Sequence, residues 1–119
     1  MNRIQKIQVG NREILLIDYS DLKQDQMIEL GDLVLAQVLD DNTRFRILNI
    51  FNERNYLTPL VMNHQRKIVK EAIHLADKVA IIGLNPVKKI ILNGINLLLG
   101  REFKSFSTRE EALAYLSSD

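Results

Sequence analysis

Two spacings of apolar residues take turns along this chain. Residues 79–84 (VAIIGL) form a short, almost wholly apolar run with β-branched members. That is the composition of a parallel strand covered on both faces. From residue 86 the spacing becomes helical: Val87, Ile90, Ile91, Gly94, Leu97 and Leu98 share one stripe, and Ile95 and Leu99 widen it. Asn85-Pro86 is a helix start, because Asn accepts from exposed N–H groups and Pro in the first turn gives up no bond. Gly100 suits the helix end. Residues 101–107 (REFKSFS) read as a further strand. Ser107-Thr108-Arg109-Glu110 reads as a capping box for a last helix that turns Ala112, Leu113 and Leu116 inward, flanked by Tyr115.

The same rhythms organise the first half. Residues 3–9 and 13–19 read as strands joined by a tight turn at Gly10-Asn11. Ser20-Asp21 predicts a helix start with Ser20 as cap. The helix runs to about Leu39 on a stripe of Leu22, Met27, Leu30, Val34 and Val38. Gly31 inside it costs about 1 kcal/mol relative to Ala unless a close contact requires it. Residues 44–51 predict a third strand, with Arg44 and Arg46 at its entrance. A polar loop over residues 52–57 leads to Thr58-Pro59, which repeats the cap-then-proline start. The helix that follows is predicted to reach about Ala76, burying Val61, Ile68, Val69, Ala72, Ile73 and Ala76.

This order predicts one α/β domain over residues 1–119. The expected sheet has five strands, mostly parallel through right-handed crossovers, with an antiparallel N-terminal edge strand and four helices. A chain of 119 residues has room for one core.

Composition removes function classes rather than adding them. A net charge of +1 with mixed signs argues against nucleic acid, which asks for a dense basic surface. The absence of cysteine excludes disulfides, thiolate nucleophiles and cysteine metal sites. The first residues lack an apolar leader, and the most apolar run, residues 90–99, is interrupted by Asn93 and Asn96. It falls short of the roughly 20 residues that a membrane span needs. A soluble cytoplasmic protein is the expectation.

Ligands of parallel sheets gather at the carboxyl ends of strands, where helix N-termini present N–H groups. Three such corners are predicted: residues 19–21, 52–58 and 83–88. Lys88 and Lys89 sit in a first helical turn, where cations oppose the helix dipole. They read either as solvated lysines or as partners waiting for an anion. Thr58 reads as a helix cap or as a phospho-acceptor, and the two are compatible. His64 and His74, ten positions apart, do not share a helix face, so no metal site is expected. The acid pairs Asp40-Asp41 and Glu110-Glu111 fit a turn and a first helical turn. No serine-nucleophile, phosphate-loop or dinucleotide motif is present, so neither an enzyme nor a cofactor is expected.

The order of elements, with AIIGLNPVKKIILNGIN and GREFKSFSTREEALAYL, resembles the small stand-alone bacterial SpoIIAA-like proteins of the STAS family. The likeness covers nearly the whole chain from about Glu13. It implies a right-handed β-α superhelix with strands in sequential order. It also implies a non-catalytic regulatory module that works through protein partners, with membrane association or apolar ligands in some members. Anti-sigma-factor antagonists of this family carry an Asp-Ser pair where this chain has Tyr56-Leu57-Thr58-Pro59, so Thr58 is a positional stand-in only.

Two functions follow as expectations. One is a signalling module that meets a protein partner or a second copy of itself. The other is a small carrier or sensor of an apolar or lipid-like ligand with peripheral membrane contact. In the second, the helix over residues 87–99 is the lid, and Lys88 or Lys89 lies near a head group. The expected ligand or partner surface comprises Ser20, Asn52, Arg54, Asn85, Lys88, Ile91, Ile95 and Leu99. The middle strands are apolar on both faces, so if every helix winds onto one face, the other needs an external cover.

Overall fold

The structure, a computed structural model, describes residues 2–100 and 103–118, excepting the side chains of Ile95, Leu98 and Leu99. Among these residues the chain forms β1 (Ile4–Val9), β2 (Arg12–Asp18), α1 (Gln24–Asp41), β3 (Phe45–Ile50), α2 (Pro59–Ala72), a 3-10 turn (Ile73–Leu75), β4 (Ala76–Ile82), α3 (Pro86–Leu99), β5 (Lys104–Phe106) and α4 (Arg109–Ser117). The five strands lie in sequential order. β1 is antiparallel to β2, and every other pairing is parallel. This is the predicted α/β architecture. Among the described residues no helix is long and apolar enough to cross a membrane.

The period-2 alternation of the strands divides the core in two. Leu15, Ile17, Ile47, Val79 and Ile81 face one side, where they meet Met27, Leu30, Val34 and Val38 of α1, Val61 of α2 and Leu92 of α3. Ile14, Leu16, Leu48 and Ala80 face the other, against Ala112 and Leu116 of α4. The helices therefore do not all wind onto one face. α4 supplies the cover for which an external partner was expected.

Gly31 is explained by a close approach. A Cβ there would lie 2.7 Å from the Ile68 side chain and 3.2 Å from His64, so α1 and α2 meet at the glycine. Gly83 has φ 88°, and a Cβ would come within 1.8 Å of the Phe51 carbonyl oxygen. Only glycine lets the end of β4 pass that close to the chain leaving β3.

Several local expectations need correction. α1 starts at Gln24 rather than near Ser20. The Asp18 carboxylate takes the Ser20 N–H at 2.9 Å and its hydroxyl at 2.5 Å, which holds residues 18–20 in a turn. Asp21 follows with φ 64°, incompatible with a helical turn. The Gln26 side chain accepts the Lys23 N–H and starts the helix there. α2 stops at Ala72, and Ala76 opens β4 because its backbone pairs with Phe45. The last helix is capped one residue later than predicted: the Thr108 hydroxyl accepts the Glu111 N–H at 3.2 Å and donates to the Glu111 carboxylate at 3.0 Å. Arg46, at the entrance of β3 as expected, is buried there, 7% exposed.

The α3 stripe is also centred differently. Val87, Ile90 and Leu97 are 66%, 70% and 86% exposed, while Lys88, Ile91 and Leu92 turn inward. Leu92 is the one buried side chain among those described in α3. This helix lies lightly on the sheet.

Candidate functional site

Beneath α3 the packing leaves a void. A cavity of about 130 Å³ lies between the sheet face that carries Ile47, Val79 and Ile81 and the inner sides of α2 and α3. α2 contributes Met62, Gln65 and Val69, and α3 contributes Lys88, Ile91 and Leu92. Protein interiors normally contain few voids larger than a water molecule. The lining is overwhelmingly aliphatic and aromatic, and among the described residues its only charged members are Lys88 and Arg66.

One edge of the cavity is tied down by the three strand-end corners that the sequence singles out. Asn55, 1% exposed, is the knot. Its Nδ2 donates to the Tyr19 carbonyl at 2.8 Å and the Leu22 carbonyl at 3.0 Å, and its Oδ1 accepts the Asn52 N–H at 2.8 Å. Its own carbonyl accepts Lys88 Nζ at 2.6 Å. The chains leaving β2 and β3 and the start of α3 thus converge on one asparagine. Asn52 adds a second link, donating to Asp21 Oδ1 at 2.8 Å and accepting the Asp21 N–H at 3.1 Å. Arg54 stays exposed, 3.7 Å from the same Asp21 carboxylate.

The predicted site residues therefore divide. Asn52, Arg54 and Lys88 gather at this edge, and Ile91 lines the cavity beside Lys88. Ser20 is held by Asp18, and Asn85 caps α3 by accepting the Lys88 N–H at 2.9 Å. Thr58 caps α2 through the Val61 N–H at 3.2 Å, and its hydroxyl donates to Gln24 at 2.6 Å. The side chains of Ile95 and Leu99 lie outside the described residues. Sequence reasoning missed Asn55, for which no local signal exists: a loop asparagine between Arg54 and Tyr56 looks solvated until the fold surrounds it.

Two buried polar groups mark the cavity wall. The Tyr19 ring, 3% exposed, stacks on Phe51 with centroids 5.0 Å apart. Burial pushes its phenol up to about 12, and the neighbouring Gln65 amide works against that rise. Gln65 Nε2 is itself buried and has no partner at ordinary hydrogen-bond geometry. Such orphan donors are uncommon in folded proteins. The other orphan among the described residues is His64 Nδ1, whose Nε2 sits 2.7 Å from Asp32 Oδ1. Among the described residues no three His, Asp or Glu side chains group closely enough to hold a metal ion.

No protein-family model matches the chain, and no curated protein matches it.

Proposed function

We propose that this chain is a non-catalytic binding protein, a small carrier or sensor that holds an apolar group in the cavity beneath α3. The observation that carries this reading is the cavity itself: an aliphatic void whose roof, α3, buries little of its own surface. Concave, mostly apolar sites with a few fixed polar groups are the usual form of small-molecule sites. The sequential strand order with one antiparallel edge strand is what the resemblance to STAS proteins implies, and it supports a regulatory setting for such binding.

Titration with hexan-1-ol, followed by backbone amide NMR shifts, tests the reading. Saturable shifts are expected in α2, α3 and the facing strands, and Ile91→Trp, which fills the void, removes them. Absence of saturable shifts would overturn it.

A second reading rests on the opposite side of the same helix. Val87, Ile90 and Leu97 form an exposed apolar face, and such faces commonly serve as contacts. On this reading the module meets a protein partner or a second copy through α3. A strictly monomeric mass that Ile90→Glu leaves unchanged argues against self-association.

A further inference from the structure

Resting on the cavity reading above, we propose that the preferred occupant is a small carboxylate whose apolar body is one ring or about six carbons long. Size sets the first limit. The void of about 130 Å³ is close to the roughly 150 Å³ of an engineered apolar cavity that holds benzene. It accommodates a ring or a short chain, and the rest of a longer acyl tail would extend out of it into solvent.

Charge sets the second. Among the described residues the lining holds two cations, Lys88 and Arg66, and neither aspartate nor glutamate. Lys88 is half-buried, and its ammonium spends one of three donors on the neutral Asn55 carbonyl. Two other buried or half-buried cations do have carboxylates: Arg3 lies 3.7 Å from Asp18, and Arg46 lies 2.8 Å from Asp77. Lys88 has no carboxylate partner among the described residues. A partly desolvated cation facing an apolar void, with two N–H groups unspent, is electrostatically incomplete. A carboxylate is acceptor-only and anionic, so it meets both the charge and the spare donors of Lys88. A cationic head group would be repelled, and a neutral alcohol would satisfy the hydrogen bonds without the charge.

Calorimetric titration at neutral pH with butanoate, hexanoate, decanoate and hexan-1-ol tests this. Affinity is expected to rise about fourfold per methylene from butanoate to hexanoate and to stop rising before decanoate. Hexanoate is expected to bind about tenfold more tightly than hexan-1-ol. Lys88→Gln keeps a donor for Asn55 but removes the charge, and should bring the two probes level; Lys88→Arg should retain the preference. The ratio is read within each variant, so a general loosening of the fold does not mimic the result. Equal binding of acid and alcohol by the unaltered protein would overturn the carboxylate assignment while leaving the cavity reading intact. Affinity still climbing through decanoate would overturn the size limit. Binding of neither probe would remove both readings.

Discussion

The two faces of the sheet are built to different standards. On the α4 face, Ile14, Leu48, Ala80, Ala112 and Leu116 are wholly excluded from solvent. Arg46 then pins the end of the helix: its Nη1 donates to the Leu116 carbonyl at 2.7 Å and the Ser118 carbonyl at 2.5 Å, and its Nε to Asp77 at 2.8 Å. Lys78 reaches the same helix end through the carbonyls of Tyr115 and Ser118. On the other face α3 leaves a cavity below it and an apolar surface above it. Both faces have apolar residues enough to pack, so the looser fit beneath α3 is not for want of them. On the reading proposed above, the α4 face carries stability and the α3 face receives the ligand.

Substitutions sharpen this contrast, and the largest effect belongs to the tight face. Leu48→Ala, wholly buried under α4, should cost about 3–4 kcal/mol in a denaturant titration. Arg46→Ala strands the Leu116 carbonyl and removes the closest partner of the Asp77 carboxylate, while Lys78 still serves the Ser118 carbonyl, and it should cost about 2–3 kcal/mol. Hydrogen exchange should show α4 losing protection while α1 keeps it. The same arginine holds the Asp77 carboxyl below its usual range, first by hydrogen bonding and then by charge. Its stabilising share is therefore present at neutral pH and lost as pH falls through the lowered carboxylate range.

A smaller effect appears at high pH on the α3 face. Unfolded tyrosine loses its proton near 10.0, but buried Tyr19 holds it to about 12. The protein then binds more protons folded than unfolded. Stability is fully present below pH 10 and falls by about 2–3 kcal/mol as pH rises to 12. Tyr19→Phe should flatten that fall in chemical melts. The smallest effect is expected at the cavity wall. Ile91 already borders a void, so Ile91→Ala should cost under about 1 kcal/mol. A loss there as large as that of Leu48→Ala would erase the contrast between the faces.

What could be read from the chain alone follows from the range of the signals. Strand parity, the hairpin at residues 10–11 and the caps at Thr58 and Asn85 are written in neighbouring residues, and all are found in place. The start of α1 was not legible, because Asp18 captures Ser20 in a turn that competes with helix initiation. The roles of Arg46 and Asn55 depend on partners 70 and 36 positions away, which no local pattern announces. The α3 stripe was ambiguous for a different reason. Apolar residues surround most of the helix, so periodicity could not say which of them face inward. Lys88, read either as a solvated lysine or as a partner for an anion, lies on the inward side.

Ligand capture beneath α3 requires that the cavity take a guest. Methyl NMR under xenon pressure tests that most directly, because xenon enters dry apolar cavities without help from polar groups. The account predicts saturable shifts at the methyls of Val79, Ile81, Val69 and Ile91, and none at Ile14, Leu16 or Leu48 across the sheet. Equal shifts on both faces, or none on either, would contradict it.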